Sequence, residues 1–204
     1  MEGLGGRCSR NNYWRIMKKI ATHDSATGER SKNWLHALGK VFAQTQTKTI
    51  KEQYEVGVRY FDLRVDKDLV LCHGLWKSDK TLNQVMTEMS HFKEEVVVRV
   101  IIERKYSEND YIEIAKRIRK AINLRGKGKV RLHYIAHKLP KWTVLSSYNT
   151  IGVTFAYLSV PTPKEYLTLA HKDWRRYIPI PRILKKITPE VEFNEDCFTM
   201  VDFV

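Results

Sequence analysis

The chain has 204 residues, 43% of them hydrophobic and 29% charged, enough apolar material for one sizeable core and too much for a disordered or collagen-like chain. Lys and Arg number 36 against 23 Asp and Glu, a net charge of +13, so the field of the molecule attracts phosphates, whether on lipid, nucleic acid or a soluble ester. No apolar run approaches the roughly 18 residues that a membrane-spanning helix needs, and none is expected.

The amino terminus, Met1 to Asn12, carries Arg7 and Arg10 but lacks the apolar stretch of about 7–15 residues that marks a secretory signal. A cytosolic start is the default expectation. Short apolar and β-branched runs then predict strands at Ile16–Thr22, Val58–Val65, Leu69–His73, Glu95–Glu103, Val130–Ile135, Trp142–Ser147, Thr154–Val160 and Phe198–Val204. Between the first two, Trp34, Leu35, Leu38, Val41 and Phe42 fall at helical spacing. Helices are predicted over Thr81–Phe92, with Leu82, Val85, Met86, Met89 and Phe92 on one face, and over Asp110–Leu124, with Tyr111, Ile114, Ile118, Ala121 and Ile122 on one face. Leu124 to Lys129, with Gly126 and Gly128, reads as a turn. This alternation predicts an α/β fold with parallel strands, a small, irregular TIM-type (β/α) barrel forming a single domain over residues 1–204. Cys8, Cys72 and Cys197 have neither a zinc-ligand nor a disulfide spacing and read as free thiols.

Three segments place ionisable groups at predicted strand ends, where a barrel gathers its site. Ala21-Thr22-His23-Asp24-Ser25 closes the first strand with an imidazole and a carboxylate. Gly57-Val58-Arg59-Tyr60-Phe61-Asp62-Leu63-Arg64 puts Asp62 and Arg64 two apart, hence on one side of a strand, where a guanidinium can hold an anionic phosphate. Leu71-Cys72-His73-Gly74 brings a second imidazole, followed by a glycine that permits a tight turn. Each segment alone is more readily structural than catalytic, by about two to one. Together, two imidazoles, two carboxylates and a fixed cation suffice to cleave a phosphodiester by acid–base chemistry.

In these segments the sequence resembles the catalytic X domain of phosphatidylinositol-specific phospholipase C, and more closely its bacterial form. The match also includes Glu52-Gln53, Thr81-Leu82 leading to Glu95-Val96-Val97, and Met200-Val201-Asp202-Phe203-Val204 as the last barrel strand. The resemblance implies that His23 is the general base acting on the inositol 2-hydroxyl and that Asp202 orients it. It implies that His73 is the general acid toward the diacylglycerol oxygen with Asp24 as its partner, and that Arg64 and Asp62 bind the phosphate. The family reaction gives a cyclic inositol phosphate. In the eukaryotic enzymes an asparagine follows the first histidine and a second acidic residue replaces the arginine, both serving calcium. Asp24 and Arg64 stand in those places here, so no metal and no other cofactor are expected.

Two positions depart from the family pattern. After the fourth strand the bacterial enzymes carry a lysine and then an acidic residue, whereas Glu103 and Lys105 stand here with the charges exchanged. The arginine expected before a tyrosine falls at Ser147, preceding Tyr148. Glu103, Lys105 and Tyr148 are therefore the matched substrate-binding positions, and the departures bear on the headgroup. The expected partner is a phospholipid substrate. Contact with an anionic membrane surface would use the basic stretches Ala115–Arg131 and Trp174–Lys186, each nearby cation adding about 1 kcal/mol, and the Trp34 stripe, which the family uses as an apolar rim helix. That stripe equally suits a buried helix. A monomer is expected and nucleic acid is disfavoured. The alternatives are a barrel phosphodiesterase acting on another phosphodiester, and a basic module that binds phosphate or nucleic acid without turnover.

Overall fold

The computed structural model describes residues 20–138, 143–147, 153–155 and 198–201. The expectations placed on Cys8, Cys197, Tyr148, Asp202 and the stretch Trp174–Lys186 lie outside the described residues, as do the side chains of Val41 and Phe42.

The centre of the sheet is built from two strands rich in β-branched and aromatic residues. β2 (Val58–Val65) and β5 (Val96–Ile102) are buried at every position, as expected for parallel strands covered on both sides. They pair in parallel, with Asp62 opposite Arg99 and Val65 opposite Ile102. β1 (Ile20–Thr22) adds to the other edge of β2, and β6 (Val130–His137) to β5, both in parallel. β9 (Phe198–Val201) then pairs with β1, and β8 (Val153–Phe155) with β9, again in parallel. The path runs β7-β6-β5-β2-β1-β9-β8.

The predicted all-parallel pattern needs two corrections. β7 (Thr143–Ser147) returns antiparallel along β6. The third predicted strand is β3 (Val70–His73), which folds back antiparallel on β2 and pairs with β4 (Trp76–Thr81), a strand the sequence reading missed. His73 thus does not close a parallel barrel strand; a hairpin lays it back over the end of β2. Trp-Lys-Ser-Asp-Lys-Thr is too polar to announce a strand, because only Trp76 and Ser78 of it are buried. The two-residue turn Gly74-Leu75 joins β3 to β4, with Gly74 at φ 56. A positive φ at the first turn residue suits a hairpin of this length and favours glycine.

Helices start where the sequence supplies caps. Asn33 accepts from the His36 N–H ahead of α1 (Trp34–Ala43). Reciprocal capping boxes, Thr49 with Glu52, Thr81 with Gln84 and Ser107 with Asp110, start α2 (Ile50–Glu55), α3 (Leu82–Met89) and α4 (Glu108–Arg125). The main core lies between the outer face of the sheet and these helices, where Phe61, Leu63, Val98, Val100 and Ile102 meet Leu82, Val85, Met86, Met89, Ile114 and Ile118. A smaller cluster, Ala21, Tyr60, Val97, Phe198 and Met200, fills the inner face. Strand alternation leaves Tyr60, Asp62 and Arg64 on that inner side.

Candidate active site

β1 ends at Thr22, beside Phe61 of β2, so the next residue, His23, arrives alongside Asp62. A web from the segment after α1 fixes the strand end: Thr45 Oγ1 and Gln46 Nε2 both donate to the His23 carbonyl, at 2.9 and 3.2 Å. Asp24 then adopts left-handed backbone, φ 44, which is uncommon outside glycine. Its N–H donates to Asp62 Oδ2 at 3.2 Å, and the turn aims its carboxylate at the guanidinium of Arg64 and at His73.

Arg64 sits among acids. Its Nε is ion-paired with Asp24 Oδ1 and lies 3.8 Å from Asp62 Oδ2. Its Nη1 donates to Glu103 Oε2 at 3.2 Å, and its Nη2 lies 2.8 Å from His23 Nε2. Burial disfavours the charge, but Asp24, Asp62 and Glu103 outweigh it and hold the guanidinium firmly protonated. Asp62 is fully buried. Burial pushes its pKa up, yet the charges of Arg99 and Arg64 prevail and hold the carboxyl well below the ordinary range. Arg99 supplies most of that pull, with Nε 2.8 Å from Oδ1 and Nη2 donating to Oδ2 at 2.9 Å.

The ring centroids of His23 and His73 lie 6.5 Å apart with planes at 70°, an edge-on arrangement. Their environments differ. Arg64 is a donor only, so the contact at His23 Nε2 requires a lone pair on that nitrogen and puts the ring proton on Nδ1. His73 Nδ1 lies 2.8 Å from the Ala43 carbonyl and 3.1 Å from Asp24 Oδ2, both acceptors, so Nδ1 carries the proton there. Asp24 Oδ2 also lies 3.4 Å from His23 Nε2, so one carboxylate oxygen touches both rings.

His23, Asp24 and Asp62 offer ligand atoms within 4.8 Å of one another, a set that could accept a divalent cation. The Arg64 guanidinium already lies against both carboxylates of that set.

The structure thus brings His23, Asp24, Asp62, Arg64, His73 and Glu103 together. Glu103 meets Arg64, the Gly74 N–H at 3.3 Å and Lys138 Nζ at 3.1 Å. Lys105 is exposed, just beyond Arg104, whose Nη2 donates to the Gly74 carbonyl at 2.7 Å. Sequence reasoning missed Arg99 and Lys138. A single arginine inside Val-Val-Val-Arg-Val-Ile-Ile was a usable signal for the first, since a charge in a strand buried on both faces demands a buried partner. Nothing local marks Lys138.

Below Asp62 the polar network continues. The pairing of β5 with β6 shifts between Val98 opposite Leu132 and Val100 opposite Ile135, so His133 and Tyr134 together oppose Arg99. Such a bulge turns two consecutive side chains to one face. Arg99 Nη1 donates to Tyr134 Oη at 3.1 Å, and Tyr60 Oη lies 2.7 Å from His133 Nδ1. Burial, and then the Arg99 charge, push the His133 pKa from 6.5 down to about 4, so a neutral His133 accepts from Tyr60.

No family model matches the chain. In sequence it is similar to a 1-phosphatidylinositol phosphodiesterase of Listeria monocytogenes, 31% identical over 104 residues; the match spans 50% of this chain and 32% of that protein's length. In fold it is similar to the phosphatidylinositol-specific phospholipase C of Listeria monocytogenes, with a TM-score of 0.54 at 15% identity over 93% of this chain and 89% of that one. A double mutant of the phosphatidylinositol-specific phospholipase C of Staphylococcus aureus gives a TM-score of 0.51 at 13% identity, over 93% of this chain and 86% of that one. These structural likenesses are of fold, and the chain has the irregular TIM-type barrel architecture expected from its sequence.

Proposed function

We propose that the chain is a metal-independent phosphodiesterase and lyase of the bacterial phosphatidylinositol-specific phospholipase C type, which cleaves phosphatidylinositol to diacylglycerol and a cyclic phosphate. The observation that carries this reading is the pair of imidazoles 6.5 Å apart that share the Asp24 carboxylate, one held against the buried Arg64 guanidinium and the other against the Ala43 carbonyl. The similarity to the Listeria phosphodiesterase over 104 residues, half of this chain, supports the substrate class.

In this mechanism His23 Nε2 accepts the proton of the inositol 2-hydroxyl as that oxygen attacks phosphorus. Arg64 turns its Nη2 from His23 to a phosphate oxygen, which frees the lone pair when the anion is in place. His73, charged and donating through Nδ1 to Ala43 and Asp24, gives its Nε2 proton to the departing glycerol oxygen. The phosphorus–oxygen bond to diacylglycerol breaks as the bond to the ring oxygen forms, and the net proton moves from nucleophile to leaving group. An intramolecular nucleophile avoids the entropy of recruiting a second reactant, so proton transfer and charge stabilisation are what the protein must supply. Asp202 is the proposed partner of His23 Nδ1, by the family resemblance.

Substrate access would run through the exposed Trp34, Leu35 and Leu38 of α1 and Leu75 of the β3–β4 turn. Helix and turn are joined, since His36 Nδ1 lies 3.0 Å from the Leu75 carbonyl. An apolar rim beside the site suits entry into the headgroup layer.

A phosphorus NMR time course with phosphatidylinositol and a panel of other phospholipids tests the proposal. The expected result is a cyclic phosphodiester signal with phosphatidylinositol alone. Cleavage of a different headgroup would reject the substrate, and no cleavage of any phospholipid would reject the activity.

A further inference from the structure

Glu103 stands one residue beyond the end of β5, and Lys138 one residue beyond the end of β6. Because Ile102 pairs with His137, these two residues are neighbours at the mouth of the site. The Glu103 carboxylate is almost wholly buried, and its Oε1 accepts from both Lys138 Nζ and the Gly74 N–H, while Oε2 accepts from Arg64. One acid therefore ties the phosphate-binding arginine, the turn that carries His73 and a lysine.

Charge shows why that lysine matters. Asp24, Asp62 and Glu103 surround Arg64, and Arg99 is committed to Asp62. With His73 charged, as the mechanism has it, the two guanidinium groups and that imidazolium only balance the three carboxylates, and an anionic ligand finds no net attraction. Lys138 supplies the excess positive charge. It also differs in access: its side chain is 34% exposed, against 6% for Arg64 and 4% for Arg99. A flexible lysine stem can swing an ammonium from Glu103 to an incoming oxyanion, while Glu103 keeps its contacts with Arg64 and Gly74.

We propose that Lys138 is a substrate-binding residue, the second cation on the phosphodiester, held over the site by Glu103. The inference rests on the reading that the site takes a phosphodiester. It assigns the cation to the end of β6, not to β5, where an acid stands, nor to the exposed Lys105.

The test is titration of nitrogen-15-labelled protein with inorganic phosphate at fixed ionic strength, together with kcat and KM on phosphatidylinositol in mixed micelles. Four proteins are compared: wild type, Lys138→Gln, Lys138→Arg, and Lys127→Gln, whose lysine lies at the opposite end of β6. Lys138→Gln should weaken phosphate binding about tenfold and raise KM more than it lowers kcat. Lys138→Arg should stay within about threefold of wild type, which a purely structural role of the stem would not require. Lys127→Gln should match wild type. Unchanged phosphate affinity in Lys138→Gln overturns the inference, even if phospholipid cleavage is seen, and so does a wild type that binds no phosphate. Phosphate binding that depends on Lys138 in a protein that cleaves no phospholipid would sink the proposed activity and leave Lys138 as an anion-binding residue.

Discussion

His73 Nδ1 lies 2.8 Å from the carbonyl oxygen of Ala43, the last residue of α1. Carbonyls at a helix carboxyl end have no intrahelical donor and carry the negative pole of the helix. A proton on His73 therefore meets a partial negative charge and the Asp24 carboxylate at one nitrogen, which leaves Nε2 for the proposed role of acid. Replacement by alanine, His73→Ala, should lower turnover of phosphatidylinositol by about two to four orders of magnitude. The same variant should lose far less on an inositol phosphodiester with a nitrophenol leaving group, which needs no proton. Equal losses on both substrates would reject the role of acid.

Arg64 supplies fixed charge where His23, Asp24 and Asp62 could otherwise gather a cation. Activity should survive a strong chelator in full. Loss in chelator with recovery on adding calcium would reject this reading. Arg64→Lys keeps the charge but not the planar fork that reaches Asp24, Glu103 and His23 at once, and should cost roughly one hundredfold in turnover.

His133 predicts a stability slope. Its pKa falls from 6.5 to about 4 on folding, so between those values the unfolded chain binds a proton that the folded one does not. Its contribution is complete above pH 6.5, shrinks as pH falls, and is lost below about 4. Protonation also removes the acceptor of the Tyr60 hydroxyl. Urea midpoints should therefore decline from pH 6.5 toward 4, and His133→Gln should flatten that part of the curve. A slope unchanged in the variant would assign it to other groups.

Trp34 and Leu75 are 71% and 74% exposed, large apolar groups that water disfavours and a headgroup layer would accept. The double variant Trp34→Ala, Leu75→Ser should bind anionic vesicles at least about tenfold more weakly. On a monomeric short-chain substrate it should stay within about twofold of wild type. An equal loss on both would assign the patch to the catalytic geometry instead.

Local sequence determined the pieces. Val58–Val65 and Val96–Ile102 are strands because β-branched and aromatic residues dominate both runs and suit a buried sheet. Ser107 and Asp110 start α4 because each side chain accepts from the other's N–H, at a helix end where the N–H groups have no helical partner. The period of a strand put Asp62 and Arg64 on one side. The histidine segments were legible because an imidazole beside an apolar run is conspicuous.

Only the tertiary structure decided how those pieces meet. That β3 turns back with β4, that a bulge in β6 faces both His133 and Tyr134 inward, that Arg99 clasps Asp62 and that Lys138 reaches Glu103 all depend on register between strands far apart in the chain. Propensity acts within a few residues, whereas register is set by which pairing buries the most apolar surface and leaves the fewest charges unpaired.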